Sequence, residues 1–545
     1  MLNLTQNYTP RGIPIDQLCK HLFICGVPGS GKTTGTYGLL LQLFEHQIPF
    51  LVIETAKHEY RSLKMLGNHD DSSVRGLAET LEVYTPDNAY LSPMRFNPLW
   101  RPSHVHLDLH LDALLRCFKA SIPMFEPLPA VLGEALEAVF SDQSEDHPAP
   151  ILDDLYLAGQ RVMRTKKYST DTGSDVSAAL EVRLGTLLRR TLGSLFRSTI
   201  CIPDIAHLTT SYSLIEMDGL EGEIKCLLTL FLLTAIHQHV RRQSPPQSER
   251  HGSPRLIIVI EEAHNVVGRS ADGRSAENQT DVKAAATELI CRMLAEFRAL
   301  GVGLILIDQL PSQVAPQVVK TTGAKLAFRQ VDCEDRETLA DTMLFGGFEY
   351  EEVARLLPGE AYLYAEGYHR AHRLRTADLA TLLGVSVPPS DEALAALVRH
   401  QAWYQDAQVR RAEEVLGRFR AAMDRYDRQM AIAHHALKKL LQKRTELVRK
   451  HGGPGPQDVR SCLAAAIENV GQLVDSECHH LERGIFAEVS KLELPNGPRG
   501  PQIEAMRQSH MRRFEDGILD RAENLRGFIS QRVAQLRNDV CPDNA

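Results

Sequence analysis

Short, almost wholly apolar runs recur through the first two thirds of the chain, separated by longer amphipathic or apolar stretches. "HLFIC" (21–25), "FLVI" (50–53), "YSLIEMDGL" (212–220), "LIIVI" (256–260), "VGLILI" (302–307) and "AKLAF" (324–328) carry strand character. "TTGTYGLLLQLFEHQ" (33–47) and "GEIKCLLTLFLLTAIHQHV" (222–240) are long enough for helices. Apolar strands alternating with helices predict a parallel sheet covered on both faces. The alternation is interrupted once. From "RFNPLW" through "LPAVLGEALEAVF" to "TLGSLF" near residue 198, the pattern is helical and predicts an all-helical insertion.

The pattern changes again beyond Ser390. Val398, Ala402, Val409, Ala412, Leu416, Phe419, Met423, Tyr426, Met430, Ala433, Leu437 and Leu440 follow steps of four and three, broken only at Gln405. A period of 3.5 is a coiled-coil seam, closed either by a bundle folding back on itself or by another subunit. "HGGPGPQ" ends that helix, and Met511, Phe514, Ile518, Leu525, Ile529, Leu536 and Val540 mark a further amphipathic helix. The chain thus divides into residues 1–95, the first part of an α/β core; 96–212, the helical insertion; 213–389, the second part of the core; and 390–545, a helical tail.

At 545 residues, 43% hydrophobic and 24% charged, the chain can bury several cores. Its net charge of −8 excludes an all-over basic coat for nucleic acid but leaves room for local basic patches. One such stretch, Asp391 to Lys450, holds thirteen Lys/Arg against eight Asp/Glu, an excess of five that mostly decorates the solvated face of the coil. Ten cysteines occur without a C-x-x-C pair, as suits reduced thiols in a cytoplasm. "ECHH" (477–480) has no spaced ligands elsewhere to complete a metal site. No signal core opens the chain, and its longest apolar run, Cys226 to Ile236, is too short to span a bilayer.

Candidate chemistry concentrates at the ends of the predicted strands. Gly26, Val27, Pro28, Gly29, Ser30, Gly31, Lys32 and Thr33 fit G-x-x-x-x-G-K-[ST] without a mismatch, between a strand and a helix that opens with Thr33 and Thr34. Glycines turn backbone N–H groups toward phosphate oxygens; Lys32 reaches the β- and γ-phosphates and Thr33 offers its hydroxyl to Mg²⁺. This predicts binding of a nucleoside triphosphate. "LIIVI" then delivers Glu261 and Glu262 at its carboxyl end, the first placed to hold Mg²⁺ through water and the second to deprotonate an attacking water. Gln309, after the strand 302–307, is either a γ-phosphate sensor or a polar strand terminus before Pro311. Arg329 is either a finger toward a neighbouring subunit's nucleotide or one half of a surface pair with Asp332 or Glu334. The loop 268–283, with Arg269, Arg274 and Lys283, is a candidate for contact with DNA phosphates.

"LCKHLFICGVPGSGKTT", "FLVIETAKHEYRSL", "IVIEEAHNVV" and "GVGLILIDQLPSQVAPQVVKTTGAKLAFR", in that order, resemble the HerA branch of the HerA/FtsK superfamily over roughly residues 15 to 385. The resemblance implies a RecA-like P-loop NTPase fold, with ATP and Mg²⁺ as cofactors. It implies Lys32 and Thr33 on phosphate and metal, Glu261 on the metal, Glu262 as base, Gln309 as γ-phosphate sensor and Arg329 as the finger in trans, with Arg298 in reserve. Similar proteins are hexameric motors that pull double-stranded DNA through a pore, and some act in antiphage defence beside a nuclease or an NAD-consuming effector. Three departures stand out. Only 25 residues precede Gly26, too few for the small β-barrel that is common there; Glu54 stands where Asp is usual; and "DQLP" puts Leu310 where an arginine is frequent.

Overall fold

A computed structural model describes residues 2–3, 12–88, 91–141, 149–166, 170–199, 201–242, 254–269, 282–378, 381, 383–385, 387–399, 401–451, 457–480, 486–492 and 500–538. It divides into two units, Met1–His400 and Gln401–Ala545.

The strands of the first unit are β1 (Leu2–Asn3), β2 (Gly12–Ile13), β3 (Leu22–Cys25), β4 (Phe50–Glu54), β5 (Glu82–Tyr84), β6 (Tyr212–Glu216), β7 (Leu256–Ile260), β8 (Val302–Asp308), β9 (Ala324–Ala327), β10 (Glu360–Ala365) and β11 (His372–Arg375). β1 and β2 form a separate two-stranded ribbon; the other nine make one sheet in the order β11-β10-β9-β3-β8-β7-β4-β6-β5. Every pairing from β9 to β5 is parallel, and β10 and β11 add antiparallel at the β9 edge. β3, β4, β7, β8 and β9 are buried at every position, as expected of parallel strands sandwiched between helices.

Two features correct the sequence reading of this sheet. "AKLAF" is not the last strand, because the chain returns through β10 and β11 and covers what would have been the β9 edge. At the other edge, β5 is only three residues long and carries too little periodic signal to be read.

Since β3 is central while β4 lies three positions away, the chain leaves β3, skips two strands and later fills them with β7 and β8. Such a reversal opens a crevice at the carboxyl ends of the strands. The register puts Cys25 beside Asp308 and Ala327, and Ile53 beside Ile260, so the phosphate loop, Glu54, Glu261 and Gln309 all emerge at one edge. Between Arg95 and Tyr212 the described residues form helices 107–119, 128–141, 152–165, 170–187, 190–196 and 205–208, with a single backbone bridge between Arg95 and Ile202. Helix Asp391–Val398, where the composition shifts, belongs to the first unit, and Asp391 is tied to the buried Arg61 at 2.7 Å.

In the second unit, the 50-residue helix Ala402–His451 packs against helices Gln457–His480 and Gly500–Arg512. Ala412, Leu416, Phe419, Met423, Tyr426, Met430, Ala433 and Leu437 of the seam are buried in one cluster with Ile467, Phe514, Ile518, Leu525 and Ile529. The 3.5-residue stripe is therefore covered by helices of its own chain, the bundle alternative. Leu536 and Val540 lie outside the described side chains. No helix among the described residues is long and apolar enough to cross a membrane.

Candidate functional site

The phosphate loop leaves β3 at Cys25, and helix Lys32–Glu45 begins inside the motif itself. Gly29 and Gly31 have φ of 71° and 109°, values that favour glycine. At Gly31 a Cβ would also lie 2.9 Å from the backbone nitrogen of Gly359, and at Gly26 one would lie 2.5 Å from Ser30 Oγ and 2.6 Å from the Phe328 side chain. Backbone, not side chain, thus forms the cradle. The loop is fastened by Val27 N donating to the Arg329 carbonyl at 2.9 Å and Gly359 N donating to the Ser30 carbonyl at 2.8 Å. Lys32 Nζ donates to the carbonyls of Gly26 at 2.5 Å and Val27 at 3.3 Å, so it lies folded over the loop.

The loop forms one wall of a cleft of about 460 Å³. Pro28, Gly29, Gly31, Lys32, Thr33 and Thr34 line it on one side, and Glu54, Glu59, Glu261, Glu262 and Gln309 on the other. The four carboxylates come from two segments, at and beyond the end of β4 and after β7, and Gln309 from a third, after β8. Burial raises the Glu54 carboxyl well above its usual range, with Glu216 adding to it. Burial likewise pushes Glu261 up to about 7, against the opposing effect of a hydrogen bond from the Tyr60 hydroxyl. Crowded, partly desolvated carboxylates of this kind attract a cation.

Thr33 Oγ1 donates to Glu59 Oε2 at 2.7 Å, while Glu59 N donates to Glu54 Oε1 at 2.6 Å. Glu54 Oε2 and Ser30 Oγ are buried without a hydrogen-bond partner. Oxygen donors around Thr33, a cluster of acids and unsatisfied buried oxygens fit a hard divalent cation, and the glycine cradle under Lys32 fits the phosphates it would accompany. Thr33, Glu59 and Glu261 are the residues placed to hold it.

Glu262 has φ of 49°, an unusual left-handed conformation for a side-chain-bearing residue. Gln309 Nε2 donates to Glu262 Oε1, and the Gln309 carbonyl accepts from the buried Gln330 at 2.9 Å. His264 Nδ1 lies 3.6 Å from Glu262 Oε2 and 2.9 Å from Asp308 Oδ2. The hydrogen bond to Asp308 raises the affinity of His264 for a proton. Glu262, His264 and Asp308 could in principle share a metal. However, Asp308 already accepts from the amides of His264 at 2.8 Å and Leu310 at 3.0 Å, and the ring favours its proton. His264 thus lies between Glu262 and Asp308, hydrogen-bonded to the latter.

Lys32, Thr33, Glu261, Glu262 and Gln309 therefore meet in one cleft, together with the loop glycines, Pro28 and Thr34. Ser30 serves from beneath, through its backbone. Arg329 is not among the lining residues; it is half-buried beside the loop, with its Nε unpartnered. Neither proposed surface partner engages it: Asp332 caps helix Cys333–Met343, and Glu334 pairs with Arg269 at 2.6 Å. Arg298, the reserve, is at the carboxyl end of helix Val282–Leu300, which leads into the start of β8 at the opposite edge of the sheet. Arg274 lies outside the described residues.

Sequence reasoning missed Glu59, Tyr60, His264 and the wall made by Pro358, Gly359, Arg375 and Thr376. "ETAKHEY" and "EEAH" contained the first three as polar residues just past apolar strands, which is the signal that could have found them. Arg375 comes from β11 and carries no local mark.

No protein-family model matches the chain, and no curated protein is similar enough to match. Among solved structures, VirB4 of Thermoanaerobacter pseudethanolicus is similar at 18% identity and a TM-score of 0.49, over 69% of this chain and 95% of that one. The bacterial conjugative coupling protein TrwB is similar at 12% identity and a TM-score of 0.47, over 69% and 90%. The genome-packaging NTPase B204 from Sulfolobus turreted icosahedral virus 2, in complex with ATP-gammaS, is similar at 10% identity and a TM-score of 0.31, over 66% and 98%.

Proposed function

We propose that this chain is a Mg²⁺-dependent ATPase of the HerA/FtsK superfamily, working as a homohexameric translocase or helicase on double-stranded DNA beside an effector such as a nuclease or an NAD-consuming enzyme, in antiphage defence. The observation that carries the ATPase reading is the convergence of the phosphate loop, Glu261, Glu262 and Gln309 on one cleft, with Gln309 hydrogen-bonded to Glu262. Four motifs in family order carry the rest.

Bound Mg-ATP would supply a phosphoanhydride with its charge neutralised for attack by water. Lys32 and the backbone amides of the loop hold phosphate oxygens, and Thr33, Glu59 and Glu261 hold the metal. Glu262 takes the proton from the water, held in position by Gln309 and by the His264–Asp308 pair. Arg329, close beside the loop, is the proposed finger toward a neighbouring subunit, and Arg269, Arg274 and Lys283 are proposed DNA contacts. Arg269 must leave an exposed pair with Glu334 to do so, at a cost of under about 1 kcal/mol.

Leu310, 46% exposed where an arginine is frequent in the family, favours a second reading: a ring that binds ATP and regulates an effector without moving DNA. ATP turnover with and without double-stranded DNA, at several salt concentrations and with the mass of the assembly measured, separates the two. Salt-sensitive stimulation by DNA in a hexamer, lost by about 10²-fold or more in Glu262→Gln, supports the motor. Turnover indifferent to DNA, or ATP bound without turnover, favours the regulatory ring, and a chain that binds no ATP sinks both.

A further inference from the structure

A second cleft, of about 380 Å³, lies among helices Leu107–Lys119, Gly222–Arg242 and Val282–Leu300. Helix Gly222–Arg242 carries the chain from the carboxyl end of β6 back to the start of the parallel strand β7. Its last turns, which line this cleft, therefore face away from the nucleotide edge of the sheet.

Four arginines line it, Arg116, Arg241, Arg242 and Arg292, against the single carboxylate of Glu296. Glu296 is already engaged, by Arg292 at 2.9 Å and by His237 Nε2 at 2.7 Å. Arg241 and Arg242 form no ion pair among the described residues. Burial lowers the proton affinity of His237, and Arg241 and Arg292 lower it further against the pull of Glu296, so His237 donates to Glu296 as a neutral ring. Beside the arginines, Leu109, Ala113, Leu289 and Met293 contribute apolar surface to the cleft. Gln238, 7% exposed, fixes the cleft's floor: its carbonyl bonds His104 Nε2 at 2.9 Å and its Oε1 bonds His110 Nδ1 at 3.0 Å.

We propose that this cleft binds a free nucleoside phosphate, distinct from the one on the phosphate loop. Guanidinium groups recognise phosphate by charge and by paired N–H donors, and the apolar surface offers a face to a flat ring. Pockets for small ligands span roughly 300–1,000 Å³, so the volume suits one nucleotide and is too small for a duplex. A regulatory nucleotide at the amino edge of the sheet would bear on helix Gly222–Arg242, which leads into β7, the strand that ends at the paired glutamates, and on helix Val282–Leu300, which leads into β8, the strand that ends before Gln309. This inference does not depend on hydrolysis.

The test counts equivalents of Mg²⁺ and mant-ADP bound per full-length chain by equilibrium dialysis. Two equivalents are expected in the wild type. In Arg241→Glu/Arg242→Glu the second should weaken by at least about tenfold while the first, and the thermal unfolding profile, are unchanged. Gly31→Arg, which blocks the phosphate loop, should retain the second equivalent. One equivalent in the wild type overturns the proposal, as does a second equivalent indifferent to the double substitution. A single-stranded oligonucleotide that displaces the second equivalent, and needs Arg241 and Arg242 to do so, also overturns it by making the cleft a nucleic-acid site.

Discussion

Glu262 illustrates how much of the site is decided by single side chains. Its left-handed backbone would be unfavourable by about 1 kcal/mol or more in isolation, yet it turns the carboxylate toward Gln309 and His264. If His264 acts by holding Glu262 in place, His264→Asn should lower kcat by roughly tenfold with KM unchanged, in steady-state turnover. A rise in KM with kcat preserved would mean that His264 contributes to binding instead. Glu59 makes a separate case, since it accepts from the hydroxyl of the residue that offers oxygen to the metal. Glu59→Gln is expected to raise the Mg²⁺ concentration needed for half-maximal turnover by about tenfold, read from a magnesium titration. Both lie within motifs that carry the resemblance, but neither receives a role from its motif; each follows a strand end by a few positions, where sequence offers only a polar residue in a loop.

Among elements, the turn before β10 shows why the nucleotide cleft could not be completed from contiguous motifs. Gly359 abuts Gly31 so closely that a Cβ at Gly31 would lie 2.9 Å from the Gly359 backbone nitrogen, although 328 positions separate them along the chain. β10 and β11 thereby act twice, covering the β9 edge and walling the site. The strand–loop–helix motif was legible because its residues are consecutive and its backbone geometry is local. In the tail, the 3.5-residue stripe was equally legible, but a stripe states only that something covers it. Phe419 is fully buried and its ring lies 5.7 Å from Phe514 and 6.1 Å from Phe486, so the covering is intramolecular. Phe419→Ala should destabilise the tail by about 3–5 kcal/mol in denaturant unfolding. A loss under about 1 kcal/mol would argue that the packing of this bundle is not what stabilises the tail.

At the scale of the whole molecule, His21 ties the start of β3 to two distant elements. Leu304 N donates to its Nδ1 at 3.0 Å and its Nε2 donates to the Leu294 carbonyl at 2.7 Å, which requires the neutral ring. Burial lowers its pKa from 6.5 to about 4, and Arg298 adds to the shift against the favourable effect of the Leu294 carbonyl. The unfolded chain therefore takes up a proton that the folded one refuses. Stability from this residue is fully present above pH 6.5 and is lost as pH falls toward 4, by up to ~3 kcal/mol. The buried carboxyls with raised pKa values, Glu54 and Glu261, act in the opposite sense over part of that range. His21→Asn isolates the first effect: its unfolding free energy should vary less between pH 6.5 and 4 than that of the wild type, and an unchanged slope would remove His21 from the acid sensitivity.

By itself the sequence determined the alternation of buried strands and helices, the phosphate loop, the paired glutamates, Gln309 and the amphipathic stripe of the tail. Each of these is a local property, set by side-chain periodicity or by the backbone freedom of a few consecutive residues. Only the tertiary structure decided that Glu59 meets Thr33, that Tyr60 meets Glu261, that His264 lies 3.6 Å from Glu262 and that Gly359 closes over Gly31. It also decided which pairs do not form, with Glu334 taken by Arg269 and not by Arg329. The physical reason is the strand order: β3 and β4 are neighbours in sequence but not in the sheet, so the groups that share the cleft are brought together by parallel pairing across long crossovers.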